Sequence, residues 1–244
     1  MELSEPIVKP VISKKSFQLP PFSVMVGSKV DMQWFSRRLD LNKRGFKRLY
    51  LSRLYRPFGD DANFSLTGPM IGAPYAVMIL ESLIALGARE FVFLGWCGAL
   101  SPDTNIGDII LPTSAFIEEG TSKHYLLPRS YKSRPSLNLQ EKVRKALKLC
   151  QVKFQEGPIW TTDAIYRETG QKVRFYQEKK ALAVEMEVSA LFSVANYHKV
   201  HMGAILIVSD DLSSLKWKKG FTDERFKKSR KKAIEGIIRL CHML

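Results

Sequence analysis

Apolar and polar positions along the chain fall into two alternating kinds of block. Continuous apolar runs that end at a glycine or an acidic residue are typical of strands buried on both faces of a sheet. Runs of this kind occupy residues 21–27, 91–100, 107–117 and 201–211. We predict a core strand at each of them.

The blocks between these runs have the spacing of helices. Residues 75–88 are one such block, and they follow Pro74, a residue that is favoured at the first positions of a helix. Residues 137–150 alternate apolar and charged faces, whereas residues 186–200 are mostly apolar. We predict helices over these three blocks and a last helix that begins at about Asp223.

Strands and helices that alternate in this way predict an α/β domain with a central sheet covered on both faces. Residues 21–244 have this character, and residues 1–20 are expected to form an irregular arm. Ligands of α/β sheets bind beyond the carboxyl ends of the strands. Three predicted strands end there in glycine or acidic stretches, at residues 27–28, 95–98 and 209–211.

Composition narrows the class of protein. The chain has 244 residues, of which 45% are hydrophobic, so one large packed core is expected. Three widely spaced cysteines, Cys97, Cys150 and Cys241, argue against a disulfide framework or a C-x-x-C metal site, and the histidines have no ligand spacing. No signal peptide is visible at the start, and no apolar run reaches the roughly 18 residues of a membrane span. We expect a cytoplasmic protein with no membrane segment and no metal.

A net charge of +14 is the strongest bias in the composition. Basic residues cluster at 36–56 and 216–232. Such a surplus suits nucleic acid, an anionic membrane or a small anionic ligand, and it also suits a plain solvated surface. The second cluster opens the amphipathic last helix, which favours the solvated surface there.

One apolar run, AVEMEVSALFSV at residues 183–194, carries two carboxylates one residue apart, Glu185 and Glu187. Burying even a neutral polar group without a partner costs roughly 2–7 kcal/mol. The pair therefore faces either water or a ligand that needs hydrogen-bond acceptors.

Four motifs, in this order and spacing, resemble the nucleoside phosphorylase and nucleosidase superfamily. They are G-A-P at residues 72–74, G-W-C-G-A at 95–99, V-E-M-E at 184–187 and V-S-D at 208–210. The resemblance covers residues from about 68 to 211. It implies a single-domain α/β fold with a mixed, partly barrel-like sheet, and cleavage of the N-glycosidic bond of a nucleoside.

The resemblance also implies roles for the acidic motifs. Glu187 would accept hydrogen bonds from the ribose hydroxyls, with Met186 and Ile71 against the sugar. Asp210 would act as the general acid that hydrogen-bonds or protonates the leaving base, and an aspartate at this position favours a purine. Glu185 is either part of this site or a helix-start carboxylate that stabilises the helix dipole.

The base pocket departs from the family pattern. The stretch D-A-I-Y at residues 163–166 matches the pocket lining, but Ile165 stands where an aromatic ring usually stacks on the base. Gly98 would also line the pocket. Stacking would then fall to Trp160, Tyr166 or Trp96.

The positions that bind phosphate in the family, at the acceptor end of the site, depart further from the family pattern. Gly27 and Gly98 remain, but Asp31 and Phe93 replace arginines, and Trp96 replaces a serine or threonine. Because an anion near phosphate costs on the order of 4 kcal/mol at close range, water is at least as good a candidate for the acceptor as phosphate. Asp31 would orient or deprotonate that water; alternatively, it caps a helix.

Three functions therefore stay open. The first is cleavage by water of a nucleoside whose base, from Asp210, is expected to be a purine. The second is a true phosphorylase with a rebuilt phosphate site, to which Arg48, Arg53 or Arg56 of a neighbouring subunit would contribute. The third is a catalytically quiet protein that binds a nucleoside, a nucleotide or nucleic acid. No cofactor is expected beyond phosphate as a co-substrate, and the resemblance implies a homo-oligomer.

Overall fold

The structure is a computed structural model that describes residues 6–10, 18–41, 45–56, 63–125 and 131–243. Residues 1–5 and 11–17 of the predicted arm, and residues 42–44 of the first basic cluster, lie outside the described residues. Residues 6–10 contain no helix or strand. Leu19 is buried, and its N–H donates to the carbonyl oxygen of Leu86 at 2.8 Å.

Six α-helices and eleven strands make up the described part of the chain. The helices are α1 (Lys29–Arg38), α2 (Ala73–Ala85), α3 (Leu137–Leu149), α4 (Gly170–Glu178), α5 (Val188–Tyr197) and α6 (Glu224–Cys241). The strands are β1 (Phe22–Val26), β2 (Lys47–Leu49), β3 (Ser52–Tyr55), β4 (Phe64–Gly68), β5 (Glu90–Ala99), β6 (Ile109–Ile117), β7 (Lys132–Ser133), β8 (Gln155–Thr161), β9 (Ala183–Glu185), β10 (His201–Asp211) and β11 (Lys218–Lys219).

Five strands close into a barrel-like ring. β5 pairs with β10, β10 with β6, β6 with β8 and β8 with β9, and β9 returns to β5. The ring mixes parallel and antiparallel pairs. β1 runs parallel to the first half of β5, and on the other side of β1 the sheet continues through β4, β3 and β2. The predicted α/β domain with a mixed, partly barrel-like sheet is confirmed.

Helices cover both faces of this sheet because the side chains of its central strands alternate between two cores. Phe91 and Phe93 of β5 pack in the core that contains α2 and α5. Val92 and Leu94 pack in the core that contains α1, α3 and α6. This period of two is the geometry of an extended chain. Since both faces are apolar, β5 appears in the sequence as a continuous hydrophobic run.

The predicted core elements are confirmed within a few residues at β1, β5, β6, β10, α2, α3, α5 and α6. The structure adds α4, the ring strands β8 and β9, and the outer strands β2, β3, β4, β7 and β11, which the pattern did not predict. The helix predicted from residue 186 begins at Val188, because residues 183–185 form β9 instead. In the described ranges, no helix is both long and apolar enough to cross a membrane, and no group of His, Cys, Asp and Glu could hold a metal ion.

Candidate active site

A cavity of about 320 Å³ lies at the carboxyl ends of β1, β5 and β10, where they meet the start of α5. This is the edge of the sheet at which the sequence predicts the site. Nine of the twelve predicted site residues line the cavity: Gly27, Ile71, Phe93, Trp96, Gly98, Ile165, Met186, Glu187 and Asp210. Asp31, Trp160 and Tyr166 are not among the lining residues.

Glu185 ends β9 and holds the start of α5. One of its carboxylate oxygens accepts the N–H groups of Glu187 and Val188 at 2.7 and 2.8 Å, and the other accepts the hydroxyl of Thr161. A carboxylate at the first N–H groups of a helix satisfies donors that have no partner within the helix. Glu185 therefore acts as the helix-start carboxylate, although it also lines the cavity.

Glu187 is buried beside the cavity, and it is held by a backbone donor instead of a cation. Its Oε1 accepts the N–H of Gly72 at 2.5 Å, at the G-A-P motif where α2 begins. Gly72 has a φ of 81°, a conformation that glycine adopts without strain. The motif thus places a backbone donor against this carboxylate and leaves its remaining acceptor capacity for a ligand.

Burial raises the pKa of both glutamates above the ordinary value. For Glu185, the charge of Glu187 adds to the rise, while the hydroxyl of Thr161 opposes it. For Glu187, the backbone donors oppose it. Two acidic groups that share a desolvated site resist ionising together. A ligand that donates hydrogen bonds, or carries positive charge, would favour the ionised form of Glu187.

Asp210 lies at the end of β10, at the irregularity that shifts the pairing with β5 between Val208 and Asp210. Both of its oxygens have partners. The hydroxyl of Ser209 donates to Oδ1 at 2.6 Å, and the indole N–H of Trp217 donates to Oδ2 at 2.8 Å. Gly98 faces this carboxylate, since a Cβ there would lie 3.2 Å from Oδ2. The sheet therefore fixes the carboxylate at the cavity wall.

Two of the predicted base-stacking rings lie outside the cavity. Trp160 is fully buried, stacks on Tyr176 with ring centroids 4.4 Å apart and donates its N–H to Glu118 at 2.7 Å. Tyr166 is 93% exposed on a 3₁₀ turn that spans Ile165–Arg167. The structure thus corrects the prediction that Trp160 or Tyr166 stacks on the base. Ile165 does line the cavity.

Asp31 also departs from the prediction. Its side chain is 1% exposed and lies behind the cavity wall, where Oδ1 accepts Nε of Arg230 and Oδ2 accepts the indole N–H of Trp96, both at 2.6 Å. Burial raises the pKa of Asp31, while Arg230 and Trp96 favour its ionised form. Because Asp31 does not line the cavity and its charge is paired with Arg230, it is not placed to activate water there. Nor is Asp31 the helix cap, because the hydroxyl of Ser28 caps α1.

Trp96 lines the end of the cavity at which the acceptor, water or phosphate, is predicted to bind. Its ring packs edge-on against Phe226 with centroids 5.0 Å apart, and the guanidinium of Arg230 lies 4.9 Å from the centre of the same ring. We call Asp31, Trp96, Phe226 and Arg230 the acceptor plug. The pairing Asp31–Trp96 joins α1 to β5, and Arg230 comes from α6. Only folding brings these three elements together, so Arg230, which lies in the basic cluster predicted to be a solvated surface, was not expected beside Asp31.

Sequence reasoning also missed other lining residues, among them Glu168, Cys97, Trp217 and Phe221. Burial raises the pKa of Glu168 to about 7, and the charges of Asp210 and Glu118 add to the rise. Burial raises the pKa of the Cys97 thiol far above its usual range, which disfavours the thiolate that a nucleophilic cysteine needs. The segment K-W-K-K-G-F at 216–221, two exposed aromatic residues among lysines, was a visible signal for Trp217 and Phe221.

Comparisons with known proteins agree with this fold. A guanosine phosphorylase from Halorubrum lacusprofundi is 32% identical over 182 residues, which cover 75% of this chain and 74% of that protein. The crystal structure of a purine nucleoside phosphorylase from Toxoplasma gondii with immucillin-H matches 96% of this chain and 98% of its own, with a TM-score of 0.80 at 18% identity. An AMP nucleosidase from Bacteroides thetaiotaomicron matches 90% and 89%, with a TM-score of 0.70 at 21% identity. At these identities, the two structures show the fold alone.

The family model described as the phosphorylase superfamily matches residues 21–242, which is nearly the whole chain. The chain therefore belongs to the phosphorylase superfamily and is an enzyme of the nucleoside phosphorylase and nucleosidase kind.

Proposed function

We propose that this protein cleaves the N-glycosidic bond of a purine nucleoside and transfers the ribosyl group to water. The observation that carries the proposal is the charge of the cavity. Four carboxylates line it, Glu168, Glu185, Glu187 and Asp210, and no Lys, Arg or His stands among its described lining residues. Such a cavity suits a neutral ligand that becomes cationic as it reacts.

The ribosyl half of the substrate would lie against Glu187. A carboxylate accepts charge-assisted hydrogen bonds from vicinal hydroxyls, which orient the sugar. As the glycosidic bond lengthens, positive charge develops on the ribosyl ring, and a fixed negative charge in a desolvated site stabilises it. Met186 and Ile71 line the cavity beside Glu187 and would pack on the sugar.

The leaving base would lie against Asp210. Protonation or hydrogen bonding of the base as it departs lowers the barrier to bond cleavage. Asp210 is held on both oxygens, so its position relative to the sugar would vary little. Glu168 and Asp210 both line the cavity, and the charge of Asp210 contributes to the raised pKa of Glu168. A carboxylate there would accept an N–H of the base, which favours a purine that presents such donors.

The acceptor plug supports water over phosphate. Phosphorylases need cations or free backbone donors for the phosphate. Here Arg230, which lies over the ring of Trp96, is already paired with the buried Asp31, and the large ring of Trp96 lines the acceptor end. Placing a phosphate next to these groups would leave its charge without a free partner.

One observation favours a second candidate, phosphorolysis. The Halorubrum relative is called a guanosine phosphorylase, and it is 32% identical over three quarters of this chain. In that case the phosphate would need donors from outside the described cavity lining. The exposed Arg48 and Arg53 of β2 and β3, on a neighbouring subunit, are candidates.

Base release from inosine, guanosine, adenosine and uridine, each with and without phosphate, tests both candidates. We expect purine release that phosphate does not accelerate. Asp210→Asn should lower kcat by about 100-fold or more, since general acid catalysis contributes roughly 10²–10⁴-fold. Asp211→Asn is the matched control, because Asp211 is adjacent but does not line the described cavity, and its carboxylate accepts the N–H of Ser213.

The outcomes separate the candidates. Release that requires phosphate would establish phosphorolysis and refute the proposed role of water. Release of uracil only would refute the purine base. Full activity in Asp210→Asn would refute the role of Asp210, and no release from any nucleoside would favour a protein that binds without turnover.

A further inference from the structure

The base end of the cavity lacks the rings that the sequence predicts there. Ile165 is aliphatic, Trp160 is buried elsewhere, and Tyr166 is exposed and does not line the cavity. Trp96 lines the cavity, but its N–H is held by Asp31 in the acceptor plug. The aromatic ring that contacts Asp210 comes from another part of the chain, the loop between β10 and α6.

A short hairpin holds Trp217 against Asp210. β11 pairs antiparallel with the end of β10, so that Asp210 stands opposite Lys219. The N–H of Gly220 donates to the carbonyl oxygen of Ser209 at 3.0 Å. A Cβ on Gly220 would lie 2.7 Å from that oxygen and 2.5 Å from Ile106, so a glycine is required for this close approach. The hairpin therefore returns Trp217 to the carboxylate that precedes it by seven residues.

The indole of Trp217 does two things at once. Its N–H donates to Oδ2 of Asp210 at 2.8 Å, while its ring lines the cavity and is still 55% exposed. A carboxylate has about four acceptor sites, so Asp210 keeps capacity for a ligand while Trp217 and Ser209 hold it. Nζ of Lys219 lies 4.7 Å from the centre of this ring, and a planar ligand would cover the rest of its half-exposed apolar surface.

We propose that Trp217 is the positioning and specificity residue of the base subsite: its N–H orients Asp210, and its ring stacks on the base. This inference rests on the proposed function, because it assumes that a base leaves next to Asp210. The same residue would thus supply the stacking ring that Ile165 does not. Phe221, 6.5 Å from Trp217 between ring centroids, continues the aromatic wall towards Trp96.

Two substitutions separate the N–H from the ring. Trp217→Phe keeps an aromatic surface but removes the donor, and Trp217→Leu removes both. We expect Trp217→Phe to lower kcat about tenfold with KM within about twofold, since it removes a hydrogen bond to a charged group. We expect Trp217→Leu to raise KM about tenfold in addition, because stacking on a base is lost. Trp34→Phe, in α1 and away from the cavity, is the matched control.

A binding measurement adds a readout that needs no turnover. Titration of free hypoxanthine or guanine should change the tryptophan fluorescence of the wild-type protein and of Trp34→Phe, and most of this change should disappear in Trp217→Phe. Calorimetry should show weaker binding to Trp217→Leu than to Trp217→Phe. Circular dichroism and thermal melting should match the wild type, since the ring is half exposed.

The results distinguish this inference from the proposed function. If both variants keep wild-type kcat and KM, or if the fluorescence change persists in Trp217→Phe, the role of Trp217 is refuted while cleavage stands. If the wild-type protein binds purine through Trp217 but cleaves no nucleoside, the proposed function is refuted while the base subsite stands. If it neither binds purine nor cleaves, both are refuted.

Discussion

Glu187 and Asp31 are both buried carboxylates near the start of a helix, yet they lie in contrasting surroundings. Glu187 is 7% exposed, borders the cavity and is held by the N–H of Gly72. Asp31 is 1% exposed and is held by Arg230 and Trp96. A carboxylate held by a neutral donor beside a cavity keeps its charge available to a ligand. One held by a guanidinium has its charge already compensated.

The comparison teaches that burial alone does not identify a functional carboxylate. Desolvation of an ionised group is costly in both places, so each must be compensated. Burial raises the pKa of all three groups, so the difference lies in their partners. Asp31 has the guanidinium of Arg230 against it and needs no ligand, whereas Glu185 and Glu187 are held by neutral donors, and their compensation stays partial until a ligand binds. Four predictions test this contrast, beginning with the largest effect.

Removing Asp31 should have the largest effect, and the effect should be on stability. Asp31→Ala leaves Arg230 poorly solvated without its partner, and breaking a buried pair from one side costs about 3–5 kcal/mol. The double variant Asp31→Ala/Arg230→Met should recover much of that loss, because it removes both charges. Urea unfolding of the three proteins measures these differences.

Asp103→Ala, at an exposed turn, is the control and should change the unfolding free energy by less than about 0.5 kcal/mol. Base release by folded Asp31→Asn at low temperature provides the second measurement. Retained activity is expected. An inactive but folded Asp31→Asn would show that Asp31 is the general base, and Asp31 would then not be a purely structural carboxylate.

Glu187→Gln should lower kcat/KM about 10- to 100-fold with little change in stability. Glutamine keeps an acceptor for the N–H of Gly72 but loses the charge-assisted bonds to the sugar, which are worth about 1.5–3 kcal/mol. Steady-state base release measures the loss. Glu178→Gln, exposed at the end of α4, is the control. Equal activity of the two variants would show that Glu187 is only structural.

The pH dependence of kcat/KM should have an acid limb at a higher pH than an ordinary glutamate produces. Glu187 must be ionised to accept from the ribose hydroxyls, and burial raises its pKa above the ordinary 4.5. Activity should therefore fall as the pH drops through that raised pKa. The pH profile of the free enzyme reports this group. A limb centred near 4.5 would indicate that Glu187 is better solvated than the structure indicates.

Glu168 should give the smallest effect, a weak dependence of the unfolding free energy on pH. Its pKa is about 7 in the fold against an ordinary 4.5, so between these values the folded state holds more protons than the unfolded state. The unfolding free energy should therefore fall as the pH rises through this window. Glu168→Gln should flatten the fall, as measured by urea unfolding at pH 5 and 8. An unchanged slope would place the titration elsewhere.

Three tryptophans show which parts of the site could be predicted from the sequence. Trp96 was predicted at the cavity because it stands in a glycine motif at the end of a core strand. Trp160 was predicted there from its nearness to D-A-I-Y, but Trp160 ends β8 with its side chain turned towards Tyr176. Trp217 was not predicted, since its contact with Asp210 depends on a hairpin whose strand β11 has two residues. A two-residue strand has no period that a sequence can reveal.

The sequence by itself determined the order of the core strands and helices, the edge of the sheet that carries the site, and Glu187 and Asp210 within it. The elements and the edge follow from local signals, namely long apolar runs, glycine turns and charges near the ends of buried strands, whereas Glu187 and Asp210 were chosen from the resemblance of four motifs to a known family. Only the tertiary structure decided which groups meet. In the tertiary structure β9 pairs with β5, and Asp31 pairs with Arg230, which follows it by 199 residues. The indole N–H of Trp217 donates to Asp210. Contacts of this kind depend on how distant elements pack, and no local pattern encodes them.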